Sequence, residues 1–482
     1  MIENTLKELL ASEFQHPFTP SQEEAAKKLS HFMLAAGDKP AFILRGYAGT
    51  GKTSIVSALV RVMKKIERNV VLLAPTGRAA KVFSAMSGEP AYTIHKVIYR
   101  RQSFQGEGTK FSLGYNKTAG TLFIVDEASM ISLSDGGSSI FGTGMLLNDL
   151  LQYVYGSPSC RLLLVGDTAQ LPPVGEVESP ALRRDVMESF GLEVDEADLT
   201  EVVRQTKGSD VLAAATRLRT LLGEGFEGMP KITVHPKGEV RYMPGDELIE
   251  ALVTAYDDYG TDDTIIITRS NKRANLFNDG IRARIFDRED FLTRGDNVMV
   301  VKNNYFWAAK MQKELSEGEH LPFDFIANGD TAEVVSMHNV HEQYGFHFAD
   351  VILRFPDYDD TELSCRVLLD TLHSESPSLT REESQRLYEG VLEDYMHIPG
   401  KKERMKQLQE DPYYNAIQLK YAYAVTCHKA QGGQWSRVFL DQGYVAPEMM
   451  DASYLRWLYT AFTRTTGLLF LINWPGAGRD ED

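Results

Sequence analysis

The chain has 482 residues, of which 43% are hydrophobic and 24% charged, and its formal net charge is −16. This length allows two to four domains of an ordinary globular protein. No apolar stretch approaches the roughly 20 residues that a membrane helix needs, and the N-terminus lacks a secretory signal, so we expect a cytoplasmic protein. The acidic balance argues against coating of nucleic acid by the whole surface, although a narrow groove can still be basic.

A glycine-rich loop follows the first apolar run of the chain. Residues 46–53 read GYAGTGKT, a complete G-x-x-x-x-G-K-T phosphate loop before the helical stretch at residues 54–66. Backbone N–H groups of such a loop approach phosphate oxygens, the Lys52 ammonium reaches the β- and γ-phosphates, and the Thr53 hydroxyl can bind Mg²⁺. The loop predicts nucleotide binding. The residues that we expect to take part are Gly46, Ala48, Gly49, Thr50, Gly51, Lys52, Thr53 and Ser54.

Two later strands end in polar residues that complete a hydrolytic site. Residues 122–127 read LFIVDE, an apolar strand followed by Asp126 and Glu127. Asp126 can hold the magnesium shell, and Glu127 can polarise a water for attack on the γ-phosphate. Gln170 follows the apolar strand at residues 161–167, at the carboxyl end of a parallel sheet, where it can sense the γ-phosphate. These residues predict hydrolysis in addition to binding.

Residues 97–120 differ from the strands and helices around them. Phe111, Leu113 and Tyr115 alternate with small residues, and a glycine-containing turn at residues 105–108 separates them from an aromatic segment that ends at Phe104. This pattern predicts a β-hairpin. Its aromatic side chains either project from the domain or only pack against each other and the surface below.

The second half of the chain contains an inserted domain. Residues 264–268 read as a buried strand followed by a helix at residues 271–285, but further motif-like segments come only after residue 420. The first part of the intervening stretch has short strand patterns, which predict a small β-barrel. A capping box at residues 380–383 and a break at residues 399–400 predict two helices, the second over residues 401–410.

Seven segments, in this order, resemble motifs I, Ia, II, III, IV, V and VI of superfamily 1 helicases, subgroup B, and are closest to the RecD/Dda-like family. They are residues 46–53, 74–80, 126–130, 166–175, 199–205, 423–432 and 459–464. The resemblance implies an α/β fold with two RecA-like P-loop motor domains, each with a parallel sheet. It also implies a β-hairpin insertion in the first domain, and a small β-barrel with a helical arm in the second. Residues 131–160 do not fit the related Pif group, which leaves the subfamily open.

The resemblance also implies domain boundaries. The first motor domain, 1A, covers residues 1–195, with residues 97–120 as the hairpin insertion, 1B, which is a candidate strand-separation pin. The second motor domain, 2A, is formed by residues 196–296 and 416–482. Residues 297–415 form the inserted barrel and arm, 2B.

Family members bind ATP and Mg²⁺ between the two motor domains. Arg204 and Arg464 match two arginines that stabilise charge on the γ-phosphoryl group, a role that suits the planar guanidinium, although surface salt bridges are the alternative. Gln22 resembles the family's adenine-reading glutamine; alternatively Ser21 caps a helix and Gln22 is exposed. The expected catalytic residues are Lys52, Glu127, Gln170, Arg204 and Arg464, the expected Mg²⁺ ligands are Thr53 and Asp126, and Gln22, Gly432 and Gln434 join the loop in nucleotide binding.

By the same resemblance a further set of residues lines a single nucleic-acid strand. Contacts to its backbone fix position without reading sequence. His95 has the alternative of being a packed core residue, and the aromatic wedge residues are implied by the hairpin alone. The set consists of Pro75, Thr76, Arg78, His95, Asn303, His428 and Lys429, with Phe104 and Phe111 as the wedge.

The resemblance therefore implies an ATP-dependent DNA helicase that moves 5′-to-3′ on single-stranded DNA and acts at junctions of single-stranded and duplex DNA. It also implies a monomer whose partners are single-strand-binding, replication or recombination proteins. Two alternatives stay open. One is a nucleic-acid translocase or remodeller that does not separate strands, and the other is a nucleotide-switch subunit of a recombination complex.

Overall fold

The computed structural model describes residues 2–14, 16–101, 111–133, 143–202, 209–316, 321–323 and 325–481. Within these ranges the N-terminal part forms a parallel sheet with the order β3-β2-β6-β7-β1-β8. Its inner strands are buried apolar runs, as expected where helices cover both faces, whereas the edge strand at residues 193–199 alternates buried and exposed residues. The strands are β1 (Pro40–Gly46), β2 (Val70–Ala74), β3 (Ala91–Thr93), β6 (Leu122–Val125), β7 (Arg161–Gly166) and β8 (Glu193–Leu199). The helices are α1 (Ile2–Glu13), α2 (Pro20–Leu34), α3 (Lys52–Lys65), α4 (Gly77–Ser87), α5 (Ile94–Ile98), α6 (Leu146–Val154) and α7 (Arg184–Ser189).

The last strand of this sheet lies beyond the expected domain boundary. β8 pairs in parallel with β1 along its whole length, from Glu193 to Leu199. The expected boundary at residue 195 would cut this strand. The first motor domain therefore extends to Leu199.

The predicted hairpin leaves this domain after α5. Its two strands, β4 (Tyr99–Arg101) and β5 (Phe111–Leu113), pair antiparallel, with Tyr99 opposite Leu113. Phe104, at the candidate tip, lies outside the described residues, and Phe111 is described only as a backbone position. The hairpin fold is present at its base, and the wedge assignment stays a prediction.

A second parallel sheet, with the order β10-β19-β18-β11-β17, is built from segments on both sides of the insertion. Its strands are β10 (Val240–Met243), β11 (Thr264–Thr268), β17 (Ala424–Thr426), β18 (Trp435–Asp441) and β19 (Thr465–Ile472). The short strands β9 (Ile232–Val234) and β20 (Arg479–Glu481) pair beside it. Its helices are α8 (Asp210–Gly223), α9 (Leu248–Tyr259), α10 (Asn271–Arg284), α14 (Cys427–Ala430) and α15 (Ala452–Phe462). This is the second RecA-like domain.

The insertion forms a closed barrel with a helical arm. Its strands are β12 (Asn297–Val300), β13 (Thr331–Gln343), β14 (Phe346–Phe355), β15 (Thr361–Leu368) and β16 (Ile417–Tyr421). Its helices are α11 (Phe306–Glu314), α12 (Arg381–Asp394) and α13 (Lys401–Gln409). Thr380 and Glu383 form the predicted capping box of α12. β16 closes the barrel, so the insertion continues past the expected end at residue 415.

One buried ion pair joins the barrel to the second motor domain. Arg282 of α10 donates from Nε and Nη2 to the two carboxylate oxygens of Asp296, both at 3.1 Å, and both side chains are buried. Asp296 immediately precedes β12. Arg288 (2.8 Å) and the Tyr423 hydroxyl (3.0 Å) donate to the same carboxylate, and Tyr421 contacts Arg282 at 2.9 Å. The chain therefore enters and leaves the insertion beside a single carboxylate.

In the described part of the chain, no helix combines the length and apolar character needed to cross a membrane.

Replacing Asp296 by alanine should loosen the barrel. We expect Asp296→Ala to lower the free energy of unfolding by about 3–5 kcal/mol, because it leaves the buried Arg282 without its partner. Chemical denaturation followed by tryptophan fluorescence measures this change. Glu188→Ala, which breaks the exposed pair of Arg184 and Glu188, is the control and should lower the free energy of unfolding far less. Equal costs for the two substitutions would contradict the anchoring role of Asp296.

Candidate nucleotide site and nucleic-acid groove

The phosphate loop connects the carboxyl end of β1 to the first turn of α3. Gly49 and Gly51 have φ angles of 79° and 84°, which only glycine adopts readily. A Cβ atom on Gly51 would also come within 2.7 Å of Gln22 Nε2. The Lys52 ammonium donates to the carbonyl oxygens of Gly46 (2.6 Å) and Tyr47 (3.0 Å). The loop's own carbonyls therefore hold the ammonium over the loop, where a polyphosphate would compete for it.

Two carboxylates lie at the end of β6, on the same edge of the sheet. Asp126 Oδ1 accepts from the N–H of Glu127 at 2.9 Å, and Glu127 has a left-handed backbone with φ of 51°. Burial, followed by the negative charge of Glu127, raises the pKa of Asp126 above its usual range. Two adjacent carboxylates in a half-buried position repel each other, so a cation bound nearby would stabilise them.

Gln170 comes from the end of β7 and faces the same space. Its side chain is buried, and its Oε1 atom has no hydrogen-bond partner among the described residues. Buried polar atoms are normally paired, so an orphaned amide oxygen at the edge of a cleft points to a missing ligand or water. An unpaired acceptor oxygen at this position suits a water beside a γ-phosphate, and the role of Gln170 stays a prediction.

The second motor domain contributes Arg464, at the end of α15. Only 3% of Arg464 is exposed, and its guanidinium donates to the carbonyls of Thr460 (3.1 Å) and Gly433 (3.3 Å) and to the hydroxyl of Thr463 (3.1 Å). The alternative of a surface salt bridge is wrong for this residue. The other expected arginine, Arg204, lies outside the described residues.

These groups line one cleft of about 510 Å³ between the two motor domains. Of the residues predicted for nucleotide chemistry, Gly46, Thr50 and Gly432 do not reach its surface. Gly46 and Thr50 lie behind it, where their carbonyls accept from Lys52 and Gln22. The predicted residues that line the cleft are Gln22, Ala48, Gly49, Gly51, Lys52, Thr53, Ser54, Asp126, Glu127, Gln170, Gln434 and Arg464.

Gln22 is not an exposed residue of the first helical turn, which was the alternative interpretation. It is fully buried, its Oε1 atom accepts from the N–H of Thr19 (3.0 Å), and its Nε2 atom donates to the carbonyl of Thr50 (2.9 Å). Thr19, not Ser21, is the N-cap of α2. Ser21 instead hydrogen-bonds Glu201. Gln22 therefore joins the start of α2 to the phosphate loop, at the edge of the cleft.

A second cavity of about 550 Å³ lies between α4, the second motor domain and the barrel. Four predicted nucleic-acid residues line it, namely Thr76, Arg78, His428 and Lys429. The Thr76 hydroxyl caps α4, while the Arg78 guanidinium stacks 4.1 Å from the ring centroid of Trp435. Lys429 donates to the Asn328 side chain, and burial lowers its pKa to about 8. This cavity is a groove bordered by the two motor domains and the barrel.

The remaining predicted residues of the strand-binding set lie elsewhere. Asn303 is next to the groove, where its side chain accepts from the N–H of Asn328 at 2.6 Å. Neither Pro75 nor His95 lines the groove. His95 packs 5.6 Å from the ring of Tyr99 and 6.2 Å from that of Phe325, and burial lowers its pKa to about 4. The packing alternative fits His95 better than contact with a nucleic-acid strand.

Sequence reasoning missed several residues at these two sites. Tyr459 and Asp167 meet under the phosphate loop, Trp435 carries the stacked Arg78, and Glu201 holds the start of α2. Tyr459 and Asp167 lie inside recognised motifs, but their partners are hundreds of residues away. No local pattern could have indicated these contacts.

The phosphate loop and the Asp-Glu pair of the first domain face an arginine from the second. This arrangement, between two domains with parallel sheets, defines a two-domain P-loop NTPase motor. Residues 18–224 match the family model of an AAA domain, and residues 421–472 match that of the UvrD-like helicase C-terminal domain. Together with the motifs, these matches make the chain similar to superfamily 1 helicases of the RecD/Dda-like type.

Relatives of this type support the assignment. The chain is 28% identical over 345 residues to the ATP-dependent RecD2 DNA helicase of Deinococcus radiodurans, covering 67% of this chain and 43% of that protein. It is 25% identical over 288 residues to the ATP-dependent DNA helicase dda of Enterobacteria phage T4, covering 57% of this chain and 59% of that protein. The chain spans 43%, 35% and 36% of the lengths of the first three curated relatives it matches.

Solved structures give a looser likeness. A Pif1 helicase from Bacteroides, in complex with ADP-AlF3 and single-stranded DNA, has a TM-score of 0.44 and 17% identity, covering 96% of this chain and 93% of that chain. Pif1 helicase from Candida albicans has a TM-score of 0.43 and 16% identity, covering 96% of both chains.

Removing the Lys52 ammonium should weaken nucleotide binding. Because a hydrogen bond to a charged group contributes about 1.5–3 kcal/mol, we expect Lys52→Ala to weaken binding of an ATP analogue about tenfold or more. Adenosine binding should change much less, since it lacks phosphates. Calorimetric titration measures both affinities. Lys64→Ala, on the same helix but paired with Glu89 at the surface, is the control; a loss equal to that of the Lys52 variant would contradict the assignment.

Proposed function

We propose that this chain is an ATP-dependent DNA helicase that translocates on single-stranded DNA and unwinds duplex DNA. The observation that carries the proposal is the cleft built from both motor domains, with Lys52, Glu127 and Gln170 on one side and Arg464 on the other. In such a cleft, hydrolysis and release of the γ-phosphate change the contacts between the domains. A strand held by both domains is then moved with each cycle.

The catalytic roles follow from position and charge. Glu127 orients and polarises the attacking water, and the Gln170 amide oxygen, which has no partner among the described residues, accepts a hydrogen bond from that water. Lys52 and Arg464 stabilise the negative charge that spreads over the transferring group. Arg204 is proposed for the same role on the resemblance alone.

The donor set also fits Mg²⁺. The Asp126 and Glu127 carboxylates line the same cleft as Thr53, and hard oxygen donors of this kind suit that ion. Thr53 and Asp126 would hold it. When bound, Mg²⁺ would neutralise charge on the β- and γ-phosphates.

The groove is the proposed path of the single strand. Thr76 and Arg78 come from the first motor domain, His428 and Lys429 come from the second, and the barrel forms the third wall. These groups suit contacts to phosphates and sugars, so we propose binding that does not depend on base sequence. The names of the RecD2 and Dda relatives support DNA as the substrate.

Further elements of the proposal rest on the resemblance and the sequence. They are the 5′-to-3′ direction, a pin that includes Phe104 and Phe111, a monomeric state and a cytoplasmic location. Single-strand-binding, replication or recombination proteins are the proposed partners.

Strand separation tests the proposal directly. With ATP and Mg²⁺, we expect the purified chain to unwind a partial duplex with a 5′ single-stranded tail and to leave a 3′-tailed duplex intact. Release of a labelled strand on a native gel measures unwinding. Glu127→Gln is the control; it should bind ATP but unwind neither substrate, because it lacks the general base.

Other results of the same assays would favour one of the two alternative functions. ATP hydrolysis that is stimulated by single-stranded DNA without unwinding of either substrate would contradict the helicase and favour a translocase. Slow hydrolysis that does not respond to single strands would favour the nucleotide-switch subunit.

Binding of the single strand should depend on pH through Lys429. Its ammonium is charged below a pKa of about 8, so affinity for oligo-dT should be constant below that pH and fall as the pH rises above it. Loss of one charged contact should weaken binding about tenfold by the end of this transition. Fluorescence anisotropy at fixed salt, between pH 7 and 9, measures the effect. Lys429→Arg keeps its charge and should flatten the curve; an unchanged curve would contradict the contact.

A further inference from the structure

A tyrosine of the second motor domain touches the phosphate loop of the first. The N–H of Ala48 donates to the Tyr459 hydroxyl at 2.8 Å, and that hydroxyl donates to Asp167 Oδ2 at 2.6 Å. Ala48 lies in the loop after β1, Asp167 follows β7, and Tyr459 lies on α15. Tyr459 is 1% exposed and Asp167 is fully buried. We call these three residues the Tyr459 bridge.

The bridge is fixed at its carboxylate end. The second oxygen of Asp167 accepts from the N–H of Ala169 at 2.9 Å, so both oxygens have a donor. Ala169 and Leu171 belong to the hydrophobic core of the second motor domain, although they come from the first. The segment that carries Gln170 is therefore held inside the opposite domain.

Two more hydrogen bonds fix the same segment. The N–H of Leu171 donates to the Thr460 hydroxyl at 2.8 Å, and the Leu171 carbonyl accepts from Gln431 Nε2 at 2.8 Å. Thr460 is next to Tyr459 on α15, and its carbonyl accepts from Arg464 at 3.1 Å. One turn of α15 thus contacts the phosphate loop, the Gln170 segment and the catalytic arginine.

We propose that Tyr459 is a positioning residue for ATP hydrolysis, whose hydroxyl links the phosphate loop to Asp167 and so fixes Lys52, Gln170 and Arg464 relative to one another. This inference rests on the proposed ATPase. Tyr459 touches neither nucleotide nor water in this scheme; it acts through Ala48 and Asp167. Fixing reacting groups within a fraction of an ångström is a large part of phosphoryl-transfer catalysis.

The chemistry of the hydroxyl suits this role. It must accept from an amide and donate to a carboxylate at once, which a protonated phenol does and a phenylalanine ring cannot. Burial, followed by the negative charge of Asp167, raises the pKa of Tyr459 well above its usual range. The hydroxyl therefore keeps the proton that it donates. Loss of the hydroxyl leaves Asp167 Oδ2 and the Ala48 N–H without this partner.

The experiment compares two tyrosines of the same helix. Tyr459→Phe should lower kcat for DNA-stimulated ATP hydrolysis about tenfold while KM for ATP changes less than about twofold, because the loop still binds but is misplaced. Tyr454→Phe removes another buried hydroxyl of α15, which donates to Gln442 at 2.6 Å. That control should keep both constants within about twofold of wild type.

A double variant tests the link to Asp167. If Tyr459 and Asp167 act as one unit, Tyr459→Phe combined with Asp167→Asn should lower kcat no further than the more damaging single substitution. Independent losses that multiply would overturn the bridge. Wild-type kcat in Tyr459→Phe, or equal losses in Tyr459→Phe and Tyr454→Phe, would overturn it as well.

A physical readout separates this inference from the proposed function. Cysteines introduced as Lys27→Cys and Asp257→Cys, both exposed and in opposite motor domains, accept fluorescent labels, while the three native cysteines are buried. If the wild type binds ATP but does not hydrolyse it, the proposed function fails, but the distance between the labels still tests the Tyr459 bridge. With a non-hydrolysable ATP analogue, Tyr459→Phe should broaden the distance distribution between the labels; a distribution identical to that of Tyr454→Phe would overturn the bridge.

Discussion

Contact between the phosphate loop and the opposite motor domain is the constraint on which the other sites depend. Tyr47 and Ala48 pack against the core of the second domain, and the Arg219 guanidinium of α8 stacks 4.2 Å from the Tyr47 ring centroid. Because the loop packs against the second domain, a change in its shape would alter contacts between the domains. A nucleotide bound in the loop would therefore affect the whole interface, not one sheet alone.

The segment that follows α14 extends this constraint to the groove. Gln431 holds the Gln170 segment, and Gly432 lies so close to α4 that an added Cβ would be 3.0 Å from Ala79 Cβ. Gln434 lines both the nucleotide cleft and the groove, and its carbonyl accepts from Arg78 at 3.4 Å. The segment at residues 431–434 thus joins the cleft to the groove, since Gln434 lines both. A displacement of residues at the cleft would therefore be transmitted to the groove through directly packed neighbours.

The parts of this design that the sequence predicts are those determined by local pattern. An apolar strand followed by a polar residue places Lys52, Asp126 and Gln170 at one edge, because the carboxyl ends of parallel strands meet there. Contacts between distant segments were not predictable: Gln22 to Thr50, Tyr459 to Ala48, and Arg78 to Trp435 depend on the final packing. Two of the expected boundaries, at residues 195 and 415, fall too early for the same reason, since only pairing with β1 and β12 shows where β8 and β16 belong.

The distribution of charge in the groove explains how an acidic protein could bind the proposed anionic strand. Arg78, Lys81, His428 and Lys429 share the groove with the carboxylates Asp262, Glu333 and Asp357. Lys81 is already paired with Asp357 at 3.3 Å, whereas Lys429 donates to a neutral amide. Phosphate contacts would then come from few cations beside repelling carboxylates. Such binding would be weak and its salt dependence shallow, since both scale with the number of phosphates neutralised. Weak binding suits the proposed motor, because each cycle must break one set of contacts before the next can form.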